Sequence, residues 1–330
     1  MTATLPTDQT TLATTAAQLT HHGRGILAAD ESIKTMSSRL AAEGIAPSST
    51  MRRDYREMLI TAEGLSEWVS GVIWCDETFG QEVSDGRPFP EAARELGILP
   101  GIKVDTGTSP LPGTEALVTE GLDGLGARLE SYAAAGAAFA KWRAVFDTAT
   151  ITAYTARVNG HALARYAALC QANGIVPIVE PEVLCVGGHD ISTCARASQA
   201  ALDALFDELD QAGVDLAGVV LKPNFVTPGL DAPAASSSVV AETTFEVLRS
   251  AVPAQLSAIA FLSGGHSTAD AREYLSEINA LGERPWPVTF SFGRALVSDA
   301  LRAWAGQEQH VAAGQAALVQ NCRRAAEATR

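Results

Sequence analysis

The chain has 330 residues, 47% of them hydrophobic and 19% charged, so it can bury a large core and is too apolar to be disordered. Its 24 basic against 38 acidic residues give a formal net charge of −14, which argues against a general binder of nucleic acid or of an anionic membrane. An anionic small substrate remains open, because the charge of a site can oppose that of the whole.

The N-terminal stretch MTATLPTDQTTLATTAAQL is Thr-rich, with no basic start and no long apolar run, so no signal or transit peptide is expected. Residues 1-20 are expected to form an N-terminal helix or arm. Beyond it, short apolar runs alternate with segments of helical period. The run 25-30 (GILAAD) is followed by a helix over 50-63. Runs over 71-78 and 100-107 precede a helix over 122-136. Then come the run 139-146, a helix over 155-172, and the runs 175-183, 216-224 and 259-266. Helices over 192-212, 239-251 and 268-281 follow those three in turn. The run 287-294 comes last, before an Ala-rich helical segment over 309-329. Eight such units without a linker predict an α/β fold: a single (β/α)8 TIM barrel over 1-330, with 309-330 as a C-terminal helical tail. No apolar stretch reaches membrane-spanning length. The five cysteines are odd in number and form no C-x-x-C, which fits a reducing compartment. A soluble, cytoplasmic protein is expected.

Each run is apolar early and polar late. The late residues include Asp30, Asp76, Glu77, Lys103, Asp105, Lys141, Arg143, Glu180, Glu182, Lys222, Ser263, Ser291 and Arg294. At the carboxyl ends of barrel strands they would converge on one pocket, although strand ends also turn polar simply by approaching solvent. Strand alternation pairs Lys141 with Arg143, Glu180 with Glu182, and Lys103 with Asp105 on shared faces. Charges facing an apolar interior form either a salt-bridged plug or an active site. Lysines beside carboxylates suit imine chemistry, in which a neutral amine attacks a ketone and acids shuttle the protons. Lys222 in VVLKPN has the best context, since Pro223 forces the chain out of the strand; a snorkelling surface lysine is the competing reading. SGGH at 263-266 and SFGRA at 291-295 end the seventh and eighth runs, where this fold often binds phosphate through glycine N–H groups, with Arg294 adding a charged fork. The six histidines lack metal-ligand spacing, so neither a metal nor another cofactor is expected. The tryptophans are expected to be packing residues.

The segments GILAADES, RRDYRE, GVIWCDET, PGIKVDTG, TEGLDGL, FAKWRAV, LARYAALCQANGIVPIVEPE, LKPN-x-VTPG, FLSGG and TFSFGRAL run in order from Gly25 to about Ala305. Together the set resembles the class I, Schiff-base, metal-independent fructose-bisphosphate aldolases. The resemblance implies reversible cleavage of fructose 1,6-bisphosphate to dihydroxyacetone phosphate and glyceraldehyde 3-phosphate, in glycolysis and gluconeogenesis, by a homotetramer. It implies that Lys222 forms the Schiff base at C2 and that Glu180 dehydrates the carbinolamine and handles the C4 hydroxyl proton. Asp30 would orient Lys222, Lys141 would depress the Lys222 pKa, Arg143 would help hold substrate, and Glu182 would support the lysine network. Ser263, Gly264, Gly265, Ser291 and Arg294 look like the C1-phosphate site, joined by Arg39; Ser32 and Lys103 look like the C6-phosphate side.

Three features depart from the family pattern. Thr-Gly usually follows AADES, where this chain has Ile33-Lys34, and Lys34 offers a further phosphate contact. Thr106 stands where many members have lysine. Many animal and plant members end in a tyrosine tail, whereas no tyrosine follows Tyr274. The altered Ser32-Ile33-Lys34 loop leaves sedoheptulose 1,7-bisphosphate or fructose 1-phosphate open as preferred substrates. A non-catalytic barrel kept as a binding protein is the reading from another class.

Overall fold

The computed structural model describes residues 9-330, so residues 1-8 of the expected N-terminal arm lie outside the described residues. Eight parallel strands close a barrel in the order β1-β10-β9-β8-β7-β6-β3-β2. They are β1 (Gly25–Ala29), β2 (Val69–Trp74), β3 (Leu99–Lys103), β6 (Phe139–Phe146), β7 (Val176–Val183), β8 (Val220–Leu221), β9 (Ala258–Phe261) and β10 (Val288–Phe292). Each falls within or against one of the eight apolar runs. The strands β4 (Gly107–Pro110) and β5 (Leu117–Glu120) form a separate antiparallel hairpin after β3 that the sequence did not announce. The run 216-224 is strand only at β8: residues Leu216–Gly218 make a 3-10 turn, and Pro223 ends the ladder.

Twelve helices surround the barrel or cap it among the described residues. They are α1 (Gln9–Leu19), α2 (Ile33–Ala42), α3 (Ser49–Ile60), α4 (Asp76–Phe79), α5 (Phe89–Glu95), α6 (Leu125–Ala134), α7 (Ala153–Ala172), α8 (Ile191–Gln211), α9 (Ser237–Ala251), α10 (Thr268–Ala280), α11 (Arg294–Trp304) and α12 (Val311–Glu327). Side-chain caps start many of them: Ser32, Ser48, Thr152, Asp190, Ser236 and Ser267 each accept an N–H from the first turn. These polar residues stop the chain from continuing as strand and aim the helix back along the barrel.

Strand alternation sorts the barrel interior into two halves. Ile26, Ala28, Phe139, Val176, Ile178 and Val220 form a buried apolar plug with Leu12, Ala16 and Leu19 of α1, which covers the amino end of the strands. One or two steps further along the same inward faces stand Asp30, Lys141, Glu180 and Lys222. Residues of the opposite parity, such as Leu27, Ala29, Ala140, Trp142, Val179 and Leu221, join the larger core between strands and helices. The plug is tight where β3 meets β6: Gly101 is in register with Phe139, and a Cβ on it would lie 2.3 Å from the ring. At the same amino end, the C-terminal segment docks beside β1. Thr329 Oγ1 donates to the Gly23 carbonyl at 3.1 Å, and the Arg330 guanidinium lies 6.0 Å from the Trp68 ring centroid.

Gly101→Ala should destabilise the fold by about 1–3 kcal/mol, the usual cost of overpacking, because backbone and ring must separate. Thermal unfolding would read this as a lower midpoint, with substrate turnover of the remaining folded protein unchanged.

Candidate active site

A cavity of ≈ 450 Å³ opens at the carboxyl ends of the strands. Asp30 follows β1, Lys141 and Arg143 lie on β6, Glu180 and Glu182 on β7, and Lys222 directly after β8; all six line the cavity. Lys141 Nζ is 2.7 Å from Asp30 Oδ2 and 3.0 Å from Glu180 Oε2. Lys222 Nζ is 3.1 Å from the other Glu180 oxygen, Oε1. Glu180 therefore joins two ammonium groups. Lys141, Glu180 and Lys222 are only 3–4% exposed, so each charge depends on its partners for stabilisation.

The electrostatics follow from that arrangement. Burial opposes a charge on Asp30, but Lys141 and Lys222, with Lys103 further off, outweigh it and pull the carboxyl down to about 2. Burial likewise opposes the Glu180 charge, and Lys141, Lys222 and Arg143 hold that carboxyl below its ordinary value. Burial alone would discharge Lys141; Asp30, Glu180 and Asp105 instead hold it well above the usual lysine range, so it is a permanent cation. The arrangement can pass a proton between Lys222 and Glu180 while Lys141 keeps a fixed positive charge beside both.

A second set of pairs forms the rim. Arg143 Nε donates to Glu182 Oε2. Lys103 Nζ donates to Asp105 Oδ1 at 2.5 Å and to the Asp105 carbonyl at 2.7 Å, and Asp105 Oδ2 accepts the Arg143 backbone N–H at 3.3 Å. Arg39 lines the cavity and is ion-paired with Glu31. Arg56 is fully buried and donates to the Ala29 and Glu31 carbonyls at 3.1 and 2.8 Å, which fixes the β1–α2 loop carrying Asp30 and Ser32.

Two groups of anion-receptive donors line the cavity. At the end of β9 and β10, Ser263, Gly264, Ser291, Gly293 and Arg294 line the cavity. Ser291 Oγ is buried without a hydrogen-bond partner, and among the described residues Arg294 has no carboxylate partner. Arg294 also opens α11, where Leu296 and Val297 N–H bond the Gly293 carbonyl and, among the described residues, the Arg294 and Ala295 N–H groups have no main-chain acceptor and can meet an anion. In the closed order, β6 stands four places from β10, and β3 four places from β9. Arg143 and Lys103 thus face this seat from across the barrel. On the β1–α2 loop, Ser32 Oγ caps α2 and lies 3.0 Å from Thr35 Oγ1; both residues line the cavity.

Some expectations need correction. Gly265 does not line the cavity but backs it, since a Cβ there would sit 3.6 Å from Arg294 Nη2. Asp76 and Glu77 do not converge on the pocket, because the chain turns into α4 there: Asp76 accepts the Tyr132 hydroxyl at 2.6 Å, and Glu77 pairs with Arg52 at 2.5 Å. Lys34 is exposed and outside the cavity wall; Thr35, Gly107 and Thr108 supply wall that the sequence reading missed. A capping Ser three residues before a second hydroxyl was the available signal for Thr35. No such signal marked the hairpin loop. Among the described residues, no cluster of His, Cys, Asp and Glu is placed to hold a metal ion.

Because the folded-state pKa of Asp30 is depressed from 3.8 to about 2, its contribution to stability is present above pH 4 and is lost as pH falls toward 2. Asp30→Asn should remove that dependence. Urea unfolding at pH 5 and pH 3 should show the wild type losing about 1 kcal/mol more than the variant over this interval.

The family model for class I fructose-bisphosphate aldolase matches residues 11–330. A cytoplasmic isozyme of fructose-bisphosphate aldolase from Cicer arietinum is 46% identical over 319 residues, covering 95% of this chain and 89% of the relative. A probable class 1 fructose-bisphosphate aldolase from Xanthomonas axonopodis pv. citri is 49% identical over 298 residues, covering 89% of each. The solved fructose-bisphosphate aldolase from Plasmodium falciparum, in complex with TRAP and a small-molecule inhibitor, superimposes with a TM-score of 0.95 at 42% identity. That match covers 97% of this chain and 94% of the other. With a matching barrel, a lysine–carboxylate cluster at its carboxyl end and these relatives, the chain belongs to the class I fructose-bisphosphate aldolase family.

Proposed function

We propose that this chain cleaves fructose 1,6-bisphosphate reversibly through an imine on Lys222. The observation that carries the reading is the position of Glu180, bonded by charge to both Lys141 and Lys222 in the wall of one cavity. Glu180 takes a proton from Lys222, whose freed Nζ attacks the C2 ketone, and returns it to the departing hydroxyl as the carbinolamine dehydrates. The protonated imine is an electron sink. When Glu180 takes the proton of the C4 hydroxyl, the C3–C4 bond breaks and its electron pair flows into the imine, leaving an enamine and glyceraldehyde 3-phosphate. Protonation at C3 and hydrolysis then release dihydroxyacetone phosphate and regenerate Lys222. Lys141 stabilises negative charge developing on oxygen, and Asp30 holds Lys141 in place.

The phosphates supply position. The Ser263–Gly264, Ser291 and Arg294 end suits the C1 phosphate, with Gly265 behind it and Arg39 at the rim. Ser32, Thr35 and Lys103 suit the C6 phosphate, while Arg143 and Glu182 hold the hydroxylated middle. Two groups of phosphate donors in one cavity favour a bisphosphate over fructose 1-phosphate. Cytoplasmic residence is supported by the cytoplasmic isozymes among the relatives, and assembly as a homotetramer by the family resemblance alone.

Borohydride reduction in the presence of dihydroxyacetone phosphate should trap a single adduct, and peptide mass mapping should place it on Lys222. An adduct on Lys141 or Lys103 would overturn the assignment. Lys222→Arg should form no adduct and lose cleavage, because a guanidinium cannot be deprotonated to attack a ketone.

Arg294→Ala should weaken use of dihydroxyacetone phosphate in the condensation direction by about 2–4 kcal/mol, the scale for removing one partner of a desolvated charge pair. Condensation of unphosphorylated dihydroxyacetone should barely change. Equal losses on both donors would make Arg294 structural.

A further inference from the structure

The loop Ser263–His266 turns through two left-handed glycines, Gly264 at φ +56° and Gly265 at φ +90°. Such a loop has many accessible shapes in isolation, so its geometry must be imposed from outside. His266 anchors its exit: the backbone N–H returns to the Ser263 carbonyl at 3.0 Å, and Nε2 lies 3.1 Å from Thr227 Oγ1. Among the described residues, Gly264 and Gly265 make no main-chain hydrogen bond, and the bond reaching them comes from the Cys185 thiol, which donates to the Gly264 carbonyl.

Cys185 is well placed for that task. It lies just past β7, where Leu184 N–H bonds the Phe146 carbonyl at 2.9 Å and the Cys185 carbonyl accepts Leu230 N–H at 2.8 Å. The residue is thus fixed to the loops after β6 and β8 before its side chain reaches across. The sulfur would meet a Cβ on Gly265 at 3.3 Å, so it packs against both glycines. The thiol is half-buried, and burial together with Glu182 raises its pKa against the pull of Arg294, which keeps the S–H available as a donor.

We propose that Cys185 is a positioning residue for the C1-phosphate seat, acting through the Gly264 carbonyl. In a planar trans peptide the following N–H points opposite to the carbonyl. Holding the Gly264 carbonyl on Cys185 therefore sets the direction of the Gly265 N–H and keeps Gly264 in the cavity wall beside Arg294. Cys185 touches neither substrate nor Lys222; its effect is on how well the seat is preformed for a phosphate.

This inference rests on the reading of Ser263–Gly265 and Arg294 as the C1-phosphate seat, and the test separates the two. Condensation kinetics would be measured with dihydroxyacetone phosphate and with dihydroxyacetone for Cys185→Val, Cys185→Ser and Arg294→Ala. Cys185→Val should raise KM for the phosphorylated donor about fivefold, the scale of one neutral hydrogen bond, with kcat within about twofold and the unphosphorylated donor unaffected. Cys185→Ser, which keeps a donor, should return KM to within about twofold of wild type. An unchanged KM in the valine variant, equal losses on both donors, or failure of serine to restore the seat would overturn the role. Loss of folded protein in both Cys185 variants would also overturn it, making Cys185 a packing residue. A phosphate-selective loss in Arg294→Ala alongside a silent Cys185→Val would reject only the thiol's role. Absence of phosphate selectivity in all three variants would reject the seat itself.

Discussion

Glu180 shared between Lys141 and Lys222 is the constraint around which the rest of the barrel is arranged. One buried carboxylate cannot satisfy two ammonium groups by itself, and Asp30 completes the balance from the opposite strand. Four charged side chains from β6, β7 and the ends of β1 and β8 must therefore meet at one level of the barrel. Parallel strands with inward residues at alternate positions deliver that meeting. The apolar plug beneath, built on Phe139, Ile178 and the α1 leucines, closes the amino end and leaves the charges one approach, from the carboxyl end. A barrel filled with apolar side chains throughout would be easier to stabilise and could do no chemistry.

The same layout divides labour by distance from the centre. In the proposed reaction the innermost charges serve bond making and breaking. The rim pairs, Arg143 with Glu182 and Lys103 with Asp105, restrain long side chains that would otherwise be mobile. At the periphery, glycine-rich turns, the start of α11 and the capping hydroxyls of α2 offer N–H, O–H and guanidinium donors to phosphates. In the proposed reaction, binding energy at these donors holds the reacting carbons over Lys222. The C-terminal segment, docked beside Gly23 and Trp68 at the amino end, lies on the far side of the plug from this chemistry.

Much of this was legible in the sequence, for a physical reason. Each barrel strand is buried on both faces, so it reads as a short apolar run, and a charge at its end is expensive unless it has a purpose. Lys222 before Pro223 and the Glu180–Glu182 alternation carry their geometry in their spacing. What escaped reading depends on contacts between segments distant in the chain. The β4–β5 hairpin strands are only four residues each and largely exposed, and α2 is only ten residues long. Asp76 and Glu77 looked like pocket residues because nothing local reveals that the chain turns into α4 and hands them to Tyr132 and Arg52. Gly265 differs from its expected place for the same reason: which of two adjacent glycines faces the cavity is not set by local sequence.

If one carboxylate serves both lysines, the direct test is the rate at which the imine forms once Glu180 is neutralised. Rapid mixing of Glu180→Gln with dihydroxyacetone phosphate, quenched by borohydride at successive times, measures that single step apart from later ones. Imine formation should be slower by about a hundredfold or more, the scale for removing a general acid/base, with the adduct still on Lys222. Imine formation at the wild-type rate would contradict it.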